Sequence, residues 1–452
     1  MTTSEQAGAG TPAVEGQDPA SDRPVPLSRN RDFRLLWVSQ LASVLGSRMS
    51  YVAYPLLVLS LTGSPVLAGL IATARAAPQW ILGLPAGGLA DRWDRRRLML
   101  GCDLIRFLAL SCIVVGLLTG LLGYPVVIVI ALIEGSATVL FSPAEVGALR
   151  HVVPASQLRA ATARNESREY GAMLAGPPIG GALYAVASVL PFLGDALSYL
   201  VSFVTVSMIR TPFRSAPVDR SGPGSLVTGV RDGLRWVWRQ PFLRSSVLMV
   251  AGSNLVGNAM PTALVVIAHE RGTSAAVIGT VLTLGGLGGL VGSVIAGWAA
   301  DRVPASWVVV GFPWVWAALL PLLLISHGQV LMMGAVFGLM LAAAPLWNSV
   351  LATYRIVLVP DELQGRVDSA CRFLTQSVTP LSPPLAGVLL EYTSITITVL
   401  AMFGWMLMLG VIGALLPTLR HPPDLPRGDE AAAAQDPAQP VVTATDPLME
   451  LE

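Results

Sequence analysis

The sequence predicts an all-α polytopic membrane protein of twelve transmembrane helices in two six-helix, pseudo-symmetric bundles. Three observations carry this expectation. Hydrophobic residues fill 53% of 452 positions and charged residues only 13%, with a mean hydropathy of +0.63; a soluble chain is about a quarter charged. Apolar runs of about 20 residues, long enough to cross the hydrocarbon core as helices, recur along the chain. A short phrase also repeats at a spacing of 210 residues, as Gly87-Gly88-Leu89-Ala90-Asp91-Arg92 and Gly297-Trp298-Ala299-Ala300-Asp301-Arg302. Each copy ends an apolar run where that run gives way to charge, so the chain reads as two copies of one membrane-embedded half.

Taken in order, residues 1–30 are polar, show no signal-peptide pattern and are expected to be a disordered cytoplasmic segment. The spans of the N-terminal bundle (31–210) fall at roughly 34–60, 65–86, 98–119, 124–146, 166–188 and 190–209. Tight connections such as Thr62-Gly63-Ser64 and Gly120-Leu121-Leu122-Gly123 join them on one side, and longer Arg-bearing connections on the other. A middle loop (211–241) opens with Pro, Ser and Gly; its segment from Val227 to Arg239, with Trp236 and Trp238 among arginines, predicts a helix on the membrane surface. The C-terminal bundle (242–419) has spans at roughly 243–267, 275–299, 306–326, 329–352, 368–390 and 395–418. The tail, 420–452, is rich in Pro, Ala and Asp and reads as disordered.

Arginine fixes the expected orientation. Arg31, Arg34, Arg92, Arg95, Arg96, Arg97, Arg150, Arg159 and Arg164 fall on one side with the middle-loop arginines, Arg302, Arg355, Arg366 and Arg420; the other side has Arg271. The positive-inside rule then puts both termini in the cytoplasm of a bacterial cell, the spans crossing its cytoplasmic (inner) membrane. The repeat also runs deeper than one phrase. Gly69 and Gly279 each precede their Asp by 22 residues, and Gly176-Pro177-Pro178-Ile179-Gly180-Gly181 aligns with Ser382-Pro383-Pro384-Leu385-Ala386-Gly387 at a shift of 206.

Composition excludes some chemistry. All 29 basic residues are Arg, so neither a phosphate-loop lysine nor a Schiff-base lysine is present, and no ATP site is expected. Cys102, Cys112 and Cys371 lie in or beside apolar runs without a CxxC pair, and read as packing residues, not a metal or disulfide framework. No cofactor, metal or nucleic-acid partner is expected, and no enzymatic activity.

These features resemble the major facilitator superfamily. Asn30-Arg31-Asp32-Phe33-Arg34-Leu35-Leu36-Trp37, Leu59-Ser60-Leu61-Thr62-Gly63-Ser64, Leu89-Ala90-Asp91-Arg92-Trp93-Asp94-Arg95-Arg96 and the Gly-Pro-Pro phrase of the fifth span are similar to its drug and siderophore exporter branch, which includes macrolide-efflux and enterobactin-exporter-like proteins. The resemblance covers about residues 30–420. It implies a conformational latch in the gating loops, at Gly87, Asp91, Arg92, Arg95 and Arg96 and at Gly297, Asp301 and Arg302. It also implies a central cavity lined by the first, fourth, seventh and tenth spans. One departure stands out: the Arg-x-x-x-Gly signature of many proton-coupled drug antiporters is absent, with Ala131 in the Arg position before Glu134-Gly135.

Charges inside spans are expensive, at least about 2.5 kcal/mol on insertion scales, and mark candidate sites. Arg48, Arg75 and Glu134 lie mid-span, and Asp103 with Arg106 form an i, i+3 pair that can satisfy itself. Glu134 and Asp103 are the proton-coupling candidates. Arg48, Arg75, Glu134, Asn254, Asn258, Trp347 and Asn348 are the substrate-cavity candidates, with Arg48 expected to face Glu134. Glu145, Asn165, Glu166, Arg168 and Glu169 read as solvated helix ends. Gly176, Pro177, Pro178, Gly180 and Gly181, with Pro383 and Pro384, suggest bends or close packing in the fifth and eleventh spans.

The expected function is export of an amphipathic small molecule (an antibiotic, other secondary metabolite or siderophore) by alternating access, driven by protons. Two mid-span arginines against one glutamate tilt the expected cargo toward an anion or zwitterion. An importer of the same fold, or a non-transporting membrane sensor or scaffold, are the alternatives.

Overall fold

The computed structural model describes residues 26–83, 86, 93–211, 224–300, 302–325, 329–360 and 363–423. Among these residues the chain is entirely helical. The N-terminal half comprises α1 (Arg31–Thr62), α2 (Pro65–Gly83), α3 (Arg95–Thr119), α4 (Tyr124–Val152), α5 (Leu158–Val186) and α6 (Leu190–Ser207). After α7 (Gly224–Arg239), the C-terminal half comprises α8 (Pro241–Glu270), α9 (Ala275–Ala299), α10 (Ala305–Ile325), α11 (Val330–Leu358), α12 (Gln364–Gln376), α13 (Ser382–Tyr392) and α14 (Ile395–Leu415).

Local chemistry sets the helix ends. Asn30 accepts from the Phe33 amide (3.0 Å) at the start of α1, and Ser64 does the same for Leu67 (3.2 Å) at the start of α2. Asp94 accepts from the amides of Arg96 and Arg97 (3.0 and 3.2 Å) to open α3. Among the described residues the only positive φ angles belong to Gly63, Gly120 and Gly272, at the turns after α1, α3 and α8. All three turns are at one end of the bundle, called distal here; the proximal end is where α1 begins and α14 finishes. Glycine enters the left-handed region without a Cβ clash, which permits such short connections.

Ten of the described helices are long and apolar enough to span a membrane, two fewer than the twelve spans expected. The shortfall falls on the fifth and eleventh spans. α5 carries Arg159, Arg164, Glu166, Arg168 and Glu169 in its proximal half, and the eleventh span is divided into α12 and α13 by a 3-10 turn at Thr379–Leu381. Their position explains this. α5 packs between α1 and α9, and α13 between α2 and α8, so both meet the opposite half of the protein. A helix at such a seam faces less lipid and need not be apolar all round.

The repeat becomes a contact pattern here. A methyl group added at Gly69 on α2 would lie 2.5 Å from the Pro383 carbonyl oxygen, and one at Gly279 on α9 would lie 2.3 Å from that of Pro177. Gly387 meets Pro65, and Gly181 meets Ala275, with equal intimacy. Two pseudo-equivalent seams thus hold the halves together toward the distal end. Thr73 reinforces one by donating to the Pro380 carbonyl. The middle-loop helix extends over α7 and docks on α12: Gly233 abuts the Arg366 backbone, Val237 is buried and Asp232 lies 3.7 Å from Arg366.

Candidate functional site

Below the distal seams the halves separate around a cavity of about 690 Å³. α2 supplies Arg75, Gln79 and Trp80, α1 supplies Tyr51 and Tyr54, and α12 supplies Ser369, Arg372, Phe373 and Gln376 to its wall. Thr262 and Val265 of α8 complete an aromatic and hydroxyl-rich lining, the kind that receives a partly apolar ligand.

One wall holds a buried polar triad. Gly135 on α4 lies so close to α2 that an added methyl would sit 2.2 Å from the Arg75 carbonyl oxygen. This approach brings the neighbouring Glu134, only 1% exposed, to 3.8 Å from Arg75 Nε. Tyr54 donates its hydroxyl to Glu134 Oε2 at 2.5 Å, and the Arg75 guanidinium stands 4.9 Å from the centre of the Tyr54 ring. Arg75 and Tyr54 line the cavity, while Glu134 sits behind them. The cation at this level is therefore supplied by α2, where the fourth span has Ala131.

The structure separates other residues that the sequence grouped. Arg48 does not face Glu134; it lies 3.8 Å from Glu169 on α5, at the level where Gly176 lets α5 touch the Arg48 backbone. Glu169 continues to Arg168 (3.3 Å) and Arg168 to Glu145 (3.1 Å), an ion network joining α1, α5 and α4. Arg168 is 5% exposed, so this part of the expected solvated helix end is buried. Asp103 is buried away from the cavity, accepting from Ser202 at 2.6 Å and lying 3.9 Å from Arg106.

Arg48, Asn254, Asn258, Trp347 and Asn348 are not part of this cavity wall. Asn254 donates to the Thr375 carbonyl (2.9 Å), tying α8 to α12, and Asn258 donates to the Asn254 carbonyl (2.9 Å). Trp347 is buried in a stack on Phe312 with 4.1 Å between ring centres, and Asn348 is exposed. Periodicity marks these residues as polar or aromatic inside a span but does not tell which face of the helix meets the cavity.

Of the gating residues, Gly87, Asp91, Arg92 and Asp301 lie outside the described residues. Arg95 packs over Gly147 and approaches His151 (3.5 Å) on α4, and Arg96 donates to the Ser207 carbonyl that ends α6. Gly297 has open space around it; Arg302 donates to the Trp298 carbonyl (2.9 Å) and stacks on that indole. The Gly-Pro-Pro phrase differs between its copies. α5 continues as one helix through Pro177 and Pro178, packing Gly180 on Met49 of α1, whereas Pro383 and Pro384 open α13 after the break.

Two carboxylates escaped the sequence reading. Asp195 on α6 is fully buried, and its signal was present: a lone acid inside an apolar span, as at Glu134. Glu391, at the distal end of α13, accepts from the Ser64 hydroxyl and the Val66 amide (3.0 Å), capping α2 from the opposite half. No sequence signal links residues 327 positions apart across two halves.

Two pseudo-symmetric helical halves around a shared cavity define a membrane carrier. The chain belongs to the transmembrane secretion effector family of the major facilitator superfamily, whose model matches residues 24–446. It is similar to the multidrug efflux pump Tap of Mycolicibacterium fortuitum, with 29% identity over 404 residues covering 86% of this chain and 96% of that protein. Tap of Mycobacterium tuberculosis is 26% identical over 415 residues, covering 89% and 97%. Macrolide efflux protein A of Streptococcus pyogenes is 25% identical over 181 residues, covering 40% and 45%. Among solved structures, an inward-facing bacterial homologue of the iron transporter ferroportin superposes with TM-score 0.67 at 16% identity, covering 86% of this chain and 99% of that one. An inward-facing, unoccupied bacterial homologue of the lysosomal transporter Spinster gives 0.66 at 13%, covering 87% and 96%. At such identities the structural likeness establishes the fold, and the family makes the protein a multi-pass membrane transporter.

Proposed function

We infer that the protein is a proton-driven exporter of amphipathic small molecules, in the bacterial cytoplasmic membrane with both termini inside. The observation that carries this reading is the Glu134–Arg75–Tyr54 triad in the wall of a cavity closed at the distal end. The efflux pumps among its relatives support export as the direction and a drug-like cargo.

The triad gives antiport the correct sign. While Glu134 is ionised it holds Arg75 against the wall, and the cavity is open to cargo. A proton on Glu134 cancels that attraction and frees the guanidinium, already 21% exposed, to move into the cavity as an internal competitor. Proton and cargo then exclude one another, which an antiporter requires. Charge balance favours a different cargo from the anion or zwitterion expected from sequence. Arg75 faces Glu134, Arg48 faces Glu169 and Arg372 lies 2.8 Å from Asp368, so the positive surplus is largely compensated. Neutral or cationic amphiphiles, which can stack on Tyr51, Trp80 and Phe373, fit this wall better than anions.

The test is ethidium transport in proteoliposomes. A pH gradient should drive uphill ethidium movement by the wild type, and Glu134→Gln should abolish that movement while ethidium counterflow without a gradient persists at a higher ethidium concentration, the freed Arg75 competing with the cargo. Gradient-driven accumulation by Glu134→Gln equal to wild type would overturn the reading.

A further inference from the structure

Glu134 poses a problem of access. It is 1% exposed and shielded from the cavity by Tyr54 and Arg75, so its proton needs a route. On the other side of Tyr54 lies α6, whose Phe192 packs edge-on against the Tyr54 ring at 5.1 Å. One turn further along α6 is Asp195, 0% exposed and within electrostatic reach of both Glu134 and Arg75. Asp195 accepts from Ser198 (3.3 Å) and interacts with the Ser50 hydroxyl of α1, and among the described residues no basic side chain lies within ion-pair distance of it. The transport mechanism above makes no use of this buried acid.

The seam that contains Asp195 is unusually polar. α1 turns Ser39, Ser43, Ser47 and Ser50 toward the core at helical spacing, and three of them are no more than 5% exposed. α6 answers with Tyr199, whose hydroxyl lies 2.9 Å from Ser47 Oγ, and with Ser202, which lies 3.3 Å from Ser39 Oγ and donates to Asp103. Ser50 Oγ is buried against the Asp195 carboxylate, and Asp103 Oδ1, buried as well, has only the Arg106 guanidinium near it at 3.9 Å. Small residues alone would suffice to let two helices approach. Hydroxyls, which both donate and accept, and carboxyls with spare acceptor capacity add what proton hopping requires.

We propose that protons leave Glu134 for the cytoplasmic end along the buried α1–α6 seam, separately from the substrate cavity, with Asp195 as the station within electrostatic reach of Glu134. Glu134 gives its proton to Asp195, which passes it through the hydroxyl file to the proximal, cytoplasmic end; no other bond changes. The charged and titratable groups around it are Glu134 of α4, Arg75 of α2, Tyr54 of α1, Tyr199 of α6 itself and, near Tyr199, Arg106 of α3. Arg75 lies near both acids, so it offsets the charge on whichever is ionised during the transfer. Separation of the routes lets the proton leave without passing through the cavity that the cargo enters.

The proposal rests on the proton-coupled reading and is tested beside it. In proteoliposomes the readout is the ratio of pH-driven ethidium transport to gradient-free ethidium counterflow. Asp195→Asn should lower that ratio about tenfold or more, and azide, a small diffusible acid, should raise it again in Asp195→Ala. A wild-type ratio in Asp195→Asn overturns the route, as does failure of azide to restore Asp195→Ala. If the Asp195 variants do not fold, Ser47→Ala takes their place: a lowered ratio supports the route and a wild-type ratio overturns it. Glu134→Gln separates the two claims. If it stays coupled, the proton-driven reading itself fails; if it uncouples while Asp195→Asn behaves as wild type, only the route fails.

Discussion

Gly279 on α9 faces the carbonyl oxygen of Pro177 on α5 across the seam between the halves, with room for a hydrogen and not for a methyl group. Its counterpart Gly69 meets Pro383 in the other seam. Gly279→Val and Gly69→Val should therefore disfavour distal closure by about 1–3 kcal/mol each, the usual cost of overpacking. Single cysteines at the distal end should become more reactive in both variants. Gly289→Ala, where an added methyl has open space, serves as the control and should change nothing.

Glu391 supplies a second distal contact, a carboxylate from one half at the amino end of a helix from the other. Being exposed, the contact is worth at most about 1 kcal/mol. Glu391→Gln should shift the balance toward distal opening by up to about fivefold and leave thermal unfolding in detergent almost unchanged. A large drop in melting temperature would instead mark Glu391 as a folding residue.

Removing Arg75 alone leaves Glu134 buried without its cation. Arg75→Met should lower stability by about 3 kcal/mol, read as a lower melting temperature. Glu134→Gln combined with Arg75→Met should recover much of that stability and remain uncoupled. Recovery of pH-driven transport in the double variant would show that the pair is structural.

Arg168 bridges Glu145 and Glu169 while almost fully buried. Arg168→Ala should cost about 3–5 kcal/mol, because it leaves Glu145 uncompensated. Glu145→Gln with Arg168→Met should be milder than Arg168→Ala in the same melting assay.

The repeated Asp-Arg phrases suggest an unequal pair of proximal latches. We expect Asp91→Asn to insert and fold normally yet largely lose transport. Asp301→Asn should be milder, since Ala305, Ser306 and Trp307 stand where Arg95, Arg96 and Arg97 follow the first copy. Equal, near-normal efflux from both variants would contradict this.

Much of the architecture was readable from the chain because lipid imposes a simple rule: backbone polar groups must be satisfied within each span, so apolar length alone marks the helices. The repeat of Gly69 and Gly279, and of the two Pro-Pro phrases, likewise announced two matching halves. The rule misses at α5 and at α12–α13 because those helices face the opposite half, where polarity is tolerated.

The sequence by itself determined the helical class, the two-half repeat and the cost of placing Glu134, Arg75, Arg48 and Asp103 in the membrane. Only the tertiary structure decided the pairings. Composition counts charges, but an ion pair depends on which helix faces which, to within a few ångströms. Gly135 draws α4 onto α2, so Glu134 meets Arg75; Gly176 brings α5 onto α1, so Arg48 meets Glu169 instead. Asp195 and Glu391 acquire their settings by the same close approaches, between α1 and α6 and between α2 and α13, which arise from side-chain shape across distant segments of the chain.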